Sequence, residues 1–275
     1  MAAMSSSDRA PDDRPTLSVV VPTYREAGNL AQLIDRLFAA TRAAGVHAEL
    51  LIVDDDSQDG SEQIVAGMAA RYPVRILVRA GRRGLSSAVV DGFDRARGRF
   101  LLCMDADLSH PPEKVPVLVE RLASGQHDFA IGSRYVGGGR ISADWPVWRR
   151  INSWLATAPA RLLVPVRDPL SGFFCLSRDT YQRARGRIRP IGYKIGLELM
   201  VKCRCRRIAE EPIVFEERQA GRSKLAGRQR LEYAWHLLRL YLSRFPGYCL
   251  IAAVLAGAVL MLVWRMIGPG PYAGR

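Results

Sequence analysis

Short β-branched runs alternate with helical repeats along the first half of the chain. Leu17–Val21 is apolar and ends at Pro22, the pattern of a strand buried on both faces. Leu30, Leu33, Ile34, Leu37 and Phe38 then recur at helical spacing. Asn29, with Gln32 three residues on, predicts the N-cap of that helix, and Gly45 its end. A second apolar run, Leu50–Val53, is followed by Asp-Ser-Gly turn chemistry and a helix from about Ser61 to Arg71. Val74–Val78 predicts a third strand, Ser86–Arg97 a third helix and Phe100–Met104 a fourth strand. The alternation predicts an α/β fold with a mostly parallel, Rossmann-like sheet and right-handed crossovers. Ligands then belong beyond the C-terminal ends of the strands.

After Pro112 the pattern loosens into a helix from Glu113 to about Ala123, a strand Phe129–Gly132 and a loop, Gly137-Gly138-Gly139, that reads as a lid or a plain connector. From Trp145 to Val164 aromatic, basic and apolar residues mix at roughly helical spacing. Arg228–Phe245 predicts an amphipathic helix with Leu231, Trp235, Leu238, Tyr241, Leu242 and Phe245 on one face. It suits packing on the large domain or lying among lipid headgroups. Gly247–Trp264 carries no charge and is long enough to cross a hydrocarbon core of roughly 30 Å. This predicts one transmembrane helix, with an interfacial or oligomer-buried helix as the other reading. The preceding basic stretch (Arg218, Arg222, Lys224, Arg228, Arg230, Arg239, Arg244) places the large domain on the cytoplasmic side of the membrane. The resulting division is a loose tail at 1–16, an α/β domain at 17–226, a juxtamembrane helix at 227–246, a membrane helix at 247–267 and a short tail at 268–275.

Apolar residues make up 48% and charged residues 24%, a globular composition, but the formal net charge is +13. That surplus favours a polyanionic partner: nucleic acid, an anionic membrane or phosphorylated substrates. Five cysteines, with Cys203-Arg204-Cys205 one residue short of a zinc-type pair, read as reduced thiols of a cytosolic compartment. The N-terminal tail has no apolar core of a signal peptide.

The chemistry gathers where strands end. The fourth strand runs into Asp105-Ala106-Asp107, and in extended backbone both carboxylates project to one side. Two such groups repel unless a cation intervenes, and Mg²⁺ or Mn²⁺ completed by substrate phosphates suits them. The competing reading has Asp107 capping the following turn. The second strand ends in Asp54-Asp55-Asp56-Ser57-Gln58-Asp59, more carboxylates than a turn requires. One serves turn or capping chemistry, and another can accept from a base or a ribose hydroxyl. The first strand ends in Pro22-Thr23-Tyr24-Arg25-Glu26, an aromatic face beside a carboxylate.

Together these three strand ends resemble the inverting glycosyltransferase family 2, which has a GT-A fold. The family's P-x-Y-N-E stands here with Arg25 for Asn, and its D-D-G-S-x-D with Asp56 for Gly. Within the family, the dolichyl- or polyprenyl-phosphate mannosyltransferases are similar at further positions: Asp105-Ala-Asp107-Leu-Ser-His110, Gly132-Ser-Arg134-Tyr135, the spacing Trp145, Arg149, Ser153, and Arg218-x-x-Gly221-x-Ser223-Lys224-Leu225. The resemblance implies that Pro22, Tyr24, Glu26, Val53 and Asp55 hold the nucleoside of GDP-mannose. It implies that Asp105, Ala106 and Asp107 hold metal and diphosphate, and that Arg134, Arg218 and Lys224 face phosphates. Arg149 and Ser153, with Arg134, meet the acceptor phosphate of a polyprenyl or dolichyl lipid, and Asp107, Arg134 and Arg149 form the catalytic set. A phosphate nucleophile is already ionised at neutral pH, so His110 reads as structural rather than as a general base.

Other readings explain less. Nucleic-acid binding accounts for the charge but not for the acidic strand ends, and a Rossmann dehydrogenase needs a G-x-G-x-x-G that the first strand lacks. A catalytically silent membrane regulatory subunit has no use for Asp105, Asp107 and Lys224. A transferase using UDP-glucose or another UDP-sugar remains the alternative within the same class.

Overall fold

The computed structural model describes residues 14–141, 156–215 and 227–247. In chain order these contain β1 (Leu17–Thr23), α1 (Ala27–Ala43), β2 (Ala48–Asp54), α2 (Ser61–Ala69), β3 (Val74–Val78), α3 (Leu85–Arg95), β4 (Phe100–Cys103), α4 (Val115–Ala123), β5 (Phe129–Ser133) and β6 (Arg140–Ile141). Helical residues 156–161 (α5), β7 (Phe174–Ser177), α6 (Arg178–Ala184), α7 (Ile195–Lys202), β8 (Ile208–Pro212), β9 (Val214–Phe215) and α8 (Gly227–Arg244) follow. Among the described residues seven strands form one sheet in the order β3-β2-β1-β4-β7-β5-β8. β7 alone runs antiparallel to its neighbours β4 and β5; the other pairings are parallel. The α/β, mostly parallel architecture is the expected one.

Both faces of the central strands are covered, which is why their sequences are apolar without alternation. Val19, Val21, Leu50, Ile52 and Leu102 join Leu30, Leu33, Ile34 and Leu37 of α1 and Val115 and Leu118 of α4 in one core. Val20, Leu51, Val53 and Leu101 point the other way, into a core with Val89 and Phe93 of α3, Phe174 of β7 and Leu197 of α7. Each fully buried Leu, Val or Ile contributes roughly 1.5–3 kcal/mol relative to exposure.

Most element boundaries shift by a residue or two from the sequence reading, and two of these shifts bear on the site. α1 starts at Ala27, ahead of Asn29, because the Ala27 N–H donates to Asp59 Oδ2 of the β2–α2 loop at 3.0 Å. Asn29 therefore does not cap; its amide donates to Glu26 Oε2 at 2.8 Å within the first turn. Gly45 does end the helix: its φ of +65° lets Gly45 N–H reach Arg42 O and Val46 N–H reach Thr41 O, the paired bonds of a Schellman motif. β4 stops at Cys103, one residue early, so Asp105 and Asp107 lie in a turn and not in extended backbone.

α8 combines both faces foreseen for it. Leu240 is buried, and Tyr233, Leu237, Tyr241 and Phe245 pack on the domain. Tyr233 and Tyr241 hydroxyls donate to the carbonyls of Ala156 and Pro159, at 2.7 and 2.6 Å, and His236 Nε2 lies 3.3 Å from Glu198 Oε2. Leu231, Trp235, Leu238 and Leu242 face outward, with Leu231 74% exposed. The single shared face expected for all six apolar residues is thus divided, because Tyr241 and Phe245 turn inward. Among the described residues no helix is long and apolar enough to cross a membrane; the uncharged run after Gly247 lies outside them. Cys103, Cys175, Cys203 and Cys205 are free thiols.

Gly132 of β5 admits the Phe173 ring where a side chain would stand: a β-carbon would come 2.5 Å from Phe173 Cδ1. Gly132→Ala is expected to destabilise the protein by about 1–3 kcal/mol through overpacking. An unchanged thermal midpoint would contradict that close approach.

Candidate active site

β1 pairs with β2 on one side and with β4 on the other, so chain direction reverses its progress across the sheet at β1 and β4. A crevice opens at such a switch point, beyond the strands' C-terminal ends. The loops 22–26, 54–60 and 104–110 all leave from this edge.

The β2 loop is held by its own carboxylates. Asp54 accepts from the Thr23 hydroxyl at 3.0 Å, the Ser57 amide at 2.8 Å and the Ser57 hydroxyl at 2.5 Å, and so serves the turn. Asp59 accepts from the Ser61 amide and hydroxyl and from Ala27. Burial pushes its carboxyl up, but these hydrogen bonds outweigh it and leave the pKa below the usual carboxylate value. Asp55 is engaged differently. Its carboxylate accepts from Nε and Nη2 of the buried Arg79 and, at 2.7 Å, from the Gly84 N–H. Arg79 also donates to Asp91, Ser87 and Gly84 O, and so fixes the loop between β3 and α3. Sequence reading missed Arg79: it stands at the end of the third strand, but a lone arginine there carries no pattern.

Tyr24 is exposed, with the guanidinium of Arg83 4.6 Å above its ring and that of Arg25 at 5.3 Å. This aromatic face with cationic flanks is suited to a nucleobase. Glu26, two residues on at the start of α1, accepts from the Asn29 amide. Pro22 pairs in register with Val53. The Val53 side chain is wholly buried in the core, so only its main chain reaches the edge.

At the end of β4 the turn is built around His110. The Asp105 N–H donates to His110 Nδ1 at 3.1 Å, which leaves that nitrogen unprotonated and the ring proton on Nε2. His110 is buried, stacked on Phe173 and edge-on to Phe215. Burial pushes its pKa below the usual histidine value, against an upward pull from Asp105 and Asp107. A neutral, buried, acceptor-bonded imidazole is structural. Asp107 Oδ1 accepts from the Ser109 amide and hydroxyl, at 3.1 and 2.6 Å, so the capping role is real. Asp105 is the more open carboxylate, its side chain 29% exposed, while Ala106 is buried. Both carboxylates pull the same imidazole upward, and both lie in the turn that follows β4 rather than in strand alternation.

Arg134 follows β5 and is gripped by Asp168. Nε and Nη2 donate to the two carboxylate oxygens at 2.8 and 2.7 Å, and the Arg134 N–H adds a third bond at 3.0 Å. Burial alone would lower the arginine's pKa; Asp168 raises it above the usual value. The guanidinium is therefore a fixed cation, lying over Tyr135 and Phe215. Asp168 has no exposure at all and was not anticipated. Its only sequence signal is an acidic residue before Pro169 in a stretch without periodicity.

β6 and β9 pair as a two-stranded ribbon, and Phe215 at its end touches both His110 and Arg134. Arg149 and Ser153, and likewise Arg218 and Lys224, lie outside the described residues. The segments that carry them follow Ile141 and Phe215, the paired last residues of this ribbon.

Among the described residues no cluster of three or more carboxylate, imidazole or thiolate groups is placed to hold a metal alone. Asp105 and Asp107 supply hard oxygens beside a fixed arginine. That set fits Mg²⁺ or Mn²⁺ only if substrate phosphates and water complete the coordination.

The model of "Glycosyl transferase family 2" matches residues 18–184. A dolichol-phosphate mannosyltransferase of Mycosarcoma maydis is 42% identical over 270 residues, covering 95% of this chain and 92% of the relative. One of Saccharomyces cerevisiae is 43% identical over 251 residues, covering 88% and 93%. Among solved structures, a mannosyltransferase from Pyrobaculum calidifontis in complex with GDP-Man and Mn²⁺ superposes with a TM-score of 0.58 at 19% identity, covering 95% of this chain and 78% of that one. At that identity the likeness is one of fold.

Removing Asp168 leaves Arg134 charged, mostly buried and unpaired. Asp168→Ala is expected to cost about 3–5 kcal/mol of stability. In a double-mutant cycle, adding Arg134→Ala should recover part of that loss, and strictly additive effects in thermal denaturation would contradict the pairing.

Proposed function

The chain belongs to glycosyl transferase family 2, and on that premise we propose that it transfers mannose from GDP-mannose to a dolichyl or other polyprenyl phosphate at the cytoplasmic face of a membrane. The observation that carries the reading is the near-full-length identity to dolichol-phosphate mannosyltransferases, in a chain whose acidic and basic groups meet at one sheet edge.

The guanine ring lies on Tyr24, between the guanidiniums of Arg25 and Arg83. Asp55, locked by Arg79 and the Gly84 N–H, shapes the base pocket and does not swing freely. Asp105 and Asp107 hold a divalent cation whose charge stabilises the departing diphosphate. Arg134, oriented by Asp168, presents a fixed positive charge to the phosphates. Arg218 and Lys224 add to it on the donor side, and Arg149 and Ser153 receive the acceptor phosphate.

Donor and acceptor are both anions, and bringing them together is the main electrostatic difficulty. Cationic side chains and the cation offset that repulsion, arginine with a fork geometry matched to phosphate. The acceptor phosphate is ionised at neutral pH, so no residue needs to take its proton, in keeping with a neutral, buried His110. Direct attack on the anomeric carbon inverts its configuration. Residues 247–267 form the membrane span, with α8 lying against the bilayer through Leu231, Trp235, Leu238 and Leu242.

Purified protein, offered a panel of GDP- and UDP-sugars with polyprenyl phosphate and Mg²⁺ or Mn²⁺, is expected to transfer mannose from GDP-mannose and to stop when the metal is chelated. Inactivity across the panel would refute the enzyme reading; transfer from a UDP-sugar alone would refute the donor. Asp107→Asn retains the Oδ1 acceptor for Ser109 but removes the charge, and is expected to lower kcat about 100-fold or more, by about 2.7 kcal/mol. Near-normal turnover in that variant would count against the metal role.

A further inference from the structure

A small cavity of about 170 Å³ lies where α8 ends against the body of the domain, away from the sheet edge just described. Its floor is apolar, formed by Leu163 and Val164 after α5 and by Met200 and Val201 of α7. Its rim is basic: Arg204 and Arg206 from the α7–β8 loop and Arg244 from the last turn of α8 also line it. Among the described residues none of these three arginines is ion-paired to a carboxylate; Arg244 lies over the Phe245 ring, 5.7 Å from its centre. Nearby Asp128 is already taken, accepting from the Arg207 guanidinium and from the amides of Arg206 and Arg207. Three exposed arginines from two separate elements thus line one cavity with apolar residues, and among the described residues none has a carboxylate partner.

Arg204 is held there against a backbone preference. α7 ends in a Schellman motif: Cys205 N–H reaches Met200 O at 3.0 Å and Arg204 N–H reaches Val201 O at 3.1 Å. The first residue past the helix cap needs a left-handed conformation in this motif, and it is Arg204, with φ +56°. At the matching position after α1 the chain uses Gly45. Glycine adopts that conformation freely and an L side chain does not. An arginine at such a position suggests that its side chain, not its backbone, is what the site requires.

We propose that this pocket binds the phosphate headgroup of an anionic membrane lipid, with Arg204, Arg206 and Arg244 around the phosphate and Leu163, Val164, Met200 and Val201 under the first carbons. The cavity is smaller than the roughly 300–1,000 Å³ of sites that enclose a drug-sized ligand, so a headgroup fits and a nucleotide does not. Its position commits it to the bilayer: Arg244 is followed by Phe245, Pro246 and Gly247, and then by the uncharged run to Trp264. Basic pockets at this depth, beside a membrane segment, recognise anionic headgroups. The inference rests on the proposed membrane attachment, although the pocket itself lies wholly among described residues.

The test uses the full chain in a zwitterionic detergent, probed by native mass spectrometry with soluble dihexanoyl-phosphatidylglycerol, dihexanoyl-phosphatidylcholine and inorganic phosphate. One saturable phosphatidylglycerol molecule is expected, at least ten-fold tighter than phosphatidylcholine and lost in an Arg204→Gln/Arg206→Gln/Arg244→Gln variant. Arg204→Gly separates binding from folding: its thermal midpoint without lipid should equal or exceed the parent's, while phosphatidylglycerol binding weakens several-fold. Equal binding of the two lipids, or unchanged binding in the triple variant, overturns the proposal. Phosphate binding as tightly as phosphatidylglycerol assigns the pocket to the free anion and also overturns it. Retention of the chain in carbonate-washed membranes is measured alongside. Its loss, with lipid binding intact, faults the membrane reading and not the pocket.

Discussion

Parallel pairing of β1 with both β2 and β4 is the constraint from which the rest of this molecule follows. Leu17 is in register with Ala48 on one side and Phe100 on the other, so the three strands finish at the same edge. Three loops that carry carboxylates are thereby delivered to one edge of the sheet, whose two faces are buried. Once the carboxylates meet, their repulsion must be relieved. The protein relieves part of it internally, with the guanidinium of Arg79 on Asp55. In the proposed reaction the open carboxylate of Asp105, the guanidinium of Arg134 and the cation-flanked ring of Tyr24 are the groups left to meet the substrates.

Much of this was legible in the sequence because it depends on local pattern. Apolar runs such as Val19–Val21 and Leu50–Ile52 announced strands buried on both faces, as the two cores show. What was not legible depends on distant partners. The start of α1 is set by Asp59, which lies beyond β2, and not by Asn29 beside it. The pairing of Arg134 with Asp168 spans 34 residues, and no periodicity marks either partner. Asp105 and Asp107 were expected in extended backbone, but they lie in a turn around His110, with Leu108 at φ +61°. The helical pattern of α8 was plain, whereas which apolar residues turn inward depended on where α5 and α7 offered a surface.

α8 links two environments. Its inner side is fastened to α5 through Tyr233 and Tyr241 and to α7 through Glu198 and His236, while its outer side carries an apolar stripe with no partner among the described residues. α5 follows directly on the segment that holds Arg149 and Ser153. In the proposed reaction the lipid phosphate arrives from the bilayer and the nucleotide from solution, and α8 is the described element that touches the domain on one side and leads into the uncharged run on the other. On that proposal the +13 net charge would serve twice, toward phosphates of the substrates and toward an anionic membrane.

The central claim is that a divalent cation joins the β4 turn to the donor diphosphate. A crystal of the protein grown with GDP and Mn²⁺, with anomalous scattering recorded at the manganese edge, examines it directly. The account predicts one strong anomalous peak touching carboxylate oxygens of Asp105 and Asp107 and oxygens of the nucleotide, with Arg134 still paired to Asp168. Nucleotide bound in the crevice with no manganese at that turn, or manganese held by other residues, would contradict it.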